Sequence, residues 1–76
     1  MPAKKSAACI ALGRAIRVRR IERGRSQESF ARYAKMDRSY LGSVERGEFN
    51  VSLDIIVKVA KALDVTAASL LKRAGL

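Results

Sequence analysis

Histidine is absent from this 76-residue sequence, and cysteine occurs once, at Cys9. A single thiol excludes an internal disulfide and supplies no thiolate cluster for zinc. Without histidine the usual metal ligand and general base are missing as well, which argues against an enzyme and against a metal cofactor. Acidic residues are scarce: 7 Asp and Glu stand against 16 Lys and Arg, a formal charge of +9. Long apolar runs are lacking too. The stretch Met1 to Leu12 imitates an export signal with its basic and small residues, but Gly13 and Arg14 interrupt it too early for a signal core or a membrane span. A cytoplasmic location is therefore expected. Repeats, low-complexity tracts and internal linkers are absent, so one domain is expected. A chain this short buries only about 60% of its unfolded surface, so a partner subunit would help its stability.

What is present is positive charge, and it is unevenly placed. Residues 1–25 hold eight basic residues and one acid, residues 26–50 four of each, and residues 51–76 four and two. Such a field favours a polyanionic partner. Residues 1–7 are expected to form a flexible basic arm, since chain ends without apolar residues usually fray. Residues 8–76 form the domain.

The neutral middle segment carries the clearest pattern. Residues 25–47 read as two short helices joined by a tight turn, the arrangement of a helix-turn-helix. Ser26 and Asp37 can each cap a helix by accepting from first-turn N–H groups, and Gly47 stops the second helix. Around it the periodicity predicts a first helix from about Ala8 to Arg23, with Leu12, Ile16 and Arg20 inward and Ala11, Ala15 and Val18 alongside. Helix two, Gln27 to Ala34, turns Phe30, Ala31 and Ala34 inward; helix three, Arg38 to Arg46, does so with Leu41 and Val44. Ser52 caps a fourth helix whose Leu53, Ile56, Val57, Ala60 and Leu63 fit one face. Asp64 breaks it, and Thr66 caps a fifth with Ala67, Leu70, Leu71 and Ala74. Five short helices around one core make an all-α domain.

An arginine in line with an apolar stripe needs a counter-charge, because burying an unpaired guanidinium costs several kcal/mol. Glu45 is the candidate partner of Arg20; the alternative is that Arg20 snorkels to solvent and Glu45 is merely exposed. With Leu41 and Val44 inward, helix three offers Arg38, Ser39, Gly42 and Ser43 outward, with Tyr40 at the border. In a major groove Arg38 can bond guanine O6 and N7 while Ser39 and Ser43 bond either base type. Gly42 weakens a helix by about 1 kcal/mol, the mark of a close approach or of a tolerated exposed glycine. Ser26 and Gln27 at the start of helix two can hold a phosphate through backbone N–H groups, and Arg46, Asn50 and Ser52 can clamp a second. Ile55 and Val59 sit at the flank of the fourth helix, and Leu70, Leu71 and Leu76 exceed what a short terminal helix needs for docking. Ile55, Val59, Leu70 and Leu71 are read as a homodimer seam, the alternative being that the leucines close the core.

These residues resemble the Cro/C1-type helix-turn-helix family, the regulators that share the fold of phage repressors. The resemblance spans roughly residues 10–74. It rests on Ile16-Arg17, Arg20, Gly24, Ser26-Gln27-Glu28, Ala31, Ser39-Tyr40, Glu45-Arg46-Gly47 and Ala62-Leu63-Asp64-Val65. Met36 to Gly42 and Glu45 to Leu53 look most like controller proteins of restriction-modification systems. The resemblance implies a compact five-helix bundle of the phage-repressor type. It implies that Arg20 and Glu45 form a structural ion pair, that Gln27 and Asn50 contact the DNA backbone, that Arg38, Ser39 and Ser43 face bases, and that the fifth helix dimerises. Two positions depart from the family pattern. Lys35 replaces the glycine common at the interhelical turn, costing about 1 kcal/mol where a left-handed conformation is kept. Arg19 replaces an apolar residue and is expected to loosen the first helix or add a phosphate contact.

The expected function is a homodimeric, sequence-specific transcriptional regulator, bacterial or phage-encoded, binding double-stranded DNA at a pseudo-palindrome with half-sites about 34 Å apart. Bound beside a promoter it would exclude RNA polymerase, and bound just upstream it would recruit it. No cofactor, small-molecule ligand or membrane partner is expected. Rival readings are a phage-type repressor or antitoxin, a nonspecific nucleic-acid binder, and a membrane-surface peptide. The last is disfavoured because no helix joins a broad apolar face to an aromatic anchor.

Overall fold

The computed structural model describes residues 6–76. Five helices follow one another with no strand among the described residues: α1 Ala7–Glu22, α2 Gln27–Ala34, α3 Arg38–Glu45, α4 Leu53–Ala62 and α5 Ala67–Arg73. Each opens on a hydroxyl or carboxylate cap. Ser6, Ser26, Asp37, Ser52 and Thr66 accept from the N–H of the residue three positions on, which satisfies a backbone donor that the helix leaves without a partner. The cap of α1 was not anticipated. Ser6 and Ala7 belong to this helix and not to an arm, while the remainder of the expected arm, residues 1–5, lies outside the described residues.

All five helices also end alike. After each, two consecutive N–H groups bond back to the last turn, as in Gly47 to the Val44 carbonyl at 3.0 Å and Glu48 to the Ser43 carbonyl at 3.0 Å. This closure needs a left-handed residue, supplied by Gly24, Gly47 and Gly75 but also by Lys35 (φ 57°) and Asp64 (φ 60°). Lys35 therefore keeps the left-handed conformation that a glycine adopts more readily. The Lys58 ammonium donates to the Lys35 carbonyl at 3.0 Å, tying this turn to α4.

Phe30, Ile16, Leu41, Leu63, Leu70, Val44 and Val59 are completely buried and make the centre of the core. The first helix lies against α3 and α5, α2 against α3 and α4, and α4 against α5. The crossing of α1 and α3 passes through Gly13. A Cβ there would overlap the Glu45 carbonyl and lie 2.5 Å from that of Val44, so only glycine allows the approach. The residue that interrupts the early apolar run is thus a packing position.

Three expectations about packing need correction. Val18 does not line the stripe; it is half exposed. In α4 the inward face holds Val59, Ala60 and Leu63, while Leu53 and Val57 stand 69% and 49% exposed. Only Asp54, Lys58 and Lys61 interrupt the apolar residues of α4, so helical spacing fits more than one phase and contact with the core selects among them. Arg19 neither loosens α1 nor stands free for phosphate. Its Nε donates to the Leu63 carbonyl at 3.0 Å, satisfying a carbonyl at the end of α4.

Candidate nucleic-acid interface

The second and third helices pack together and bury Phe30, Ala31, Leu41 and Val44 in the common core, and a buried polar group ties α3 to α1. Arg20 Nε donates to Glu45 Oε2 at 2.7 Å and Nη2 to Oε1 at 3.0 Å, while Nη1 reaches the Arg25 carbonyl at 2.9 Å. This is a bidentate, charge-assisted pair, and the third guanidinium nitrogen is bonded as well. Glu45 Oε1 accepts a further hydrogen bond, from Gln27 Nε2 at 3.0 Å. One buried carboxylate therefore joins α1, α3 and the first residue of α2. Sequence spacing pointed to Arg20 and Glu45 but not to Gln27, whose link depends on the angle between α2 and α3.

On the outer side, Arg38 and Ser39 are exposed. Together with Ser26, Gln27, Glu28, Arg32 and Arg20, Arg38 lines an open depression where α2 meets α3. Tyr40 is half buried and packs on Phe49, the ring centroids 5.9 Å apart. Gly42 is buried rather than open to a groove, because the Arg46 guanidinium and the Gln27 amide lie over it. Ser43 is committed as well: its hydroxyl donates to the Ser39 carbonyl at 3.1 Å and accepts from Arg46 Nη2 at 3.2 Å. The face thus presents Arg38 and Ser39 freely, and Ser43 only by way of Arg46.

The residues expected at phosphates are placed as follows. Ser26 and Ser52 spend a lone pair on their caps, which leaves each hydroxyl hydrogen available for an anionic oxygen. Exposed Asn50 accepts from the Cys9 thiol at 3.1 Å. Arg46 is bound to Glu48, and this hydrogen bond and its charge raise the guanidinium pKa still further. Arg25, unnoticed in the sequence, lies 4.1 Å above the Tyr33 ring, a cation–π contact. The proposed dimer residues divide: Ile55 and Leu71 are partly exposed, but Val59 and Leu70 are wholly inside the protomer and can meet no partner. Among the described residues, no group of three or more Cys, Asp or Glu is arranged to hold a metal ion, and no helix is long and apolar enough to cross a membrane.

The helix-turn-helix family model matches residues 16–70, which includes the whole of α2 and α3. This chain belongs to that family. Control protein C.SmaI of Serratia marcescens is 47% identical to this helix-turn-helix protein over 51 residues, 67% of the chain and 61% of that relative. The restriction-modification controller protein C.AhdI of Aeromonas hydrophila superimposes with a TM-score of 0.81 at 45% identity, covering 86% of this chain and 98% of that one. The clp gene regulator ClgR of C. glutamicum superimposes with a TM-score of 0.87 at 30% identity, covering 96% and 94%. The helix-turn-helix chain spans about three fifths of the curated relative it matches.

Proposed function

We propose that this chain is a sequence-specific DNA-binding transcriptional regulator that binds a pseudo-palindromic operator as a homodimer, in the manner of a restriction-modification controller. The observation that carries the reading is the anchoring of α3. Glu45 fixes its inner side to Arg20 and Gln27, and Arg38 and Ser39 stand together on its outer side. A helix held rigidly with free donors on one face suits reading of base edges in a major groove. The controller reading rests on C.SmaI and C.AhdI, whose names identify them as a control protein and a restriction-modification controller.

Dimerisation would draw on exposed Leu53 and Val57 and on partly exposed Ile55 and Leu71. Occupancy of a site overlapping a promoter would then block RNA polymerase, and occupancy just upstream would recruit it. Selection of bound sequences from a random DNA pool tests the reading: a two-fold symmetric consensus is expected at moderate salt, and its absence refutes sequence-specific regulation. Sedimentation of the free protein tests the dimer.

A further inference from the structure

Arg46 lies just past α3, yet its guanidinium folds back along the helix. Nε donates to Glu48 Oε2 at 2.8 Å and Nη2 to Oε1 at 3.4 Å, while Nη2 also reaches Ser43 Oγ at 3.2 Å. Gly42 provides the room, since a Cβ there would lie 3.1 Å from Arg46 Nη1. The backbone supports the same placement: Gly47 is left-handed at φ 76°, and the Glu48 N–H bonds the Ser43 carbonyl at 3.0 Å. Arg46 and Glu48 side chains are 57% and 35% exposed, and a pair so placed contributes little to stability. Its consequence concerns what the guanidinium can meet.

The edge of Arg46 formed by Nε and Nη2 is the fork that takes two phosphate oxygens. Here a carboxylate fills it. Nη1 makes no hydrogen bond among the described residues and lies over Gly42 on the outer side of α3. We propose that Glu48 is a specificity-determining residue that occupies the phosphate-binding edge of Arg46, so that Arg46 meets DNA through Nη1 alone. This rests on the DNA-binding reading above. A free cation at this position would attract phosphate in any register; one directed NH2 group contributes only when α3 is correctly seated. Glu48 thereby weakens register-free binding more than binding to an operator.

The test compares wild type with Glu48→Gln on a short duplex of random sequence and on the duplex recovered by selection, across a salt series. Asp64→Asn serves as control, since it changes net charge equally at an exposed left-handed position that Asn tolerates. Glu48→Gln is expected to tighten random-duplex binding roughly threefold and to steepen its log affinity against log salt by about 0.9, the value of one added phosphate contact. The preference for the selected duplex should fall, and in an Arg46→Ala background Glu48→Gln should change the salt slope no more than Asp64→Asn does. An unchanged slope, or an equal change with Asp64→Asn, overturns the proposal while leaving sequence-specific binding standing. Failure of the wild type to select any consensus refutes the reading beneath it instead.

Discussion

The Glu45 carboxylate accepts from Arg20 at both oxygens, 2.7 and 3.0 Å, and the oxygen nearer Gln27 accepts from that side chain as well. A buried ion pair thereby orients the amide at the start of α2. The core ion pair and the proposed backbone contact of Gln27 thus share one side chain.

Replacing Glu45 by Gln leaves the Arg20 charge buried without a counter-charge. The expected loss is about 3 to 5 kcal/mol, visible as a large fall in the urea midpoint. The double replacement Arg20→Met with Glu45→Leu should lose less than either single one, because no buried charge remains. Gln27→Ala should cost about 1.5 kcal/mol, the low end for a hydrogen bond to a charged group because Glu45 keeps both bonds from Arg20, and should weaken DNA binding.

Gly13→Ala should be among the more damaging single-methyl additions in the chain. Its Cβ would meet the backbone carbonyls of Val44 and Glu45, which cannot rotate away, so a loss of about 1 to 3 kcal/mol is expected. Gly24→Ala is the informative comparison. Nothing lies within 4 Å of a Cβ there, and only the left-handed φ of 72° is penalised, by about 1 kcal/mol. Thermal melts of the two variants separate crowding from backbone strain.

Arg38→Ala should reduce affinity by about 1 to 3 kcal/mol with the loss concentrated at one or two base positions. Competition with operators changed one base pair at a time measures this. A uniform loss across all sequences would make Arg38 a phosphate contact.

Leu70→Ala should cost about 2 to 5 kcal/mol, since Leu70 is completely buried in the protomer. Leu53→Glu should leave unfolding of the protomer nearly unchanged, as Leu53 is 69% exposed, and should shift sedimentation toward monomer. A monomer–dimer balance untouched by Leu53→Glu would remove Leu53 from the proposed seam.

Much of this architecture was legible in the residues because its signals are local. Ser26, Asp37, Ser52 and Thr66 each cap a helix three residues from the N–H they satisfy, and Gly24 and Gly47 mark helix ends by the conformation they alone adopt cheaply. Arg20 was conspicuous because a guanidinium in an apolar stripe demands a counter-charge. The phase of α4 was not legible: its apolar residues satisfy several helical faces at once, and the inward one is chosen by contact with residues distant in sequence. The same holds for Gly13, whose function exists only where two helices cross.

Local order, net charge and the helix-turn-helix pattern were determined by the sequence by itself, since capping, periodicity and charge act within a few residues or by simple summation. Tertiary structure alone decided which α4 residues are core, that Gln27 shares the Glu45 carboxylate with Arg20, and that Gly13 must lie under the Val44 and Glu45 carbonyls. Each of these depends on the angle and separation of packed helices. Those quantities come from the mutual fit of the whole core, and no short stretch of chain encodes them.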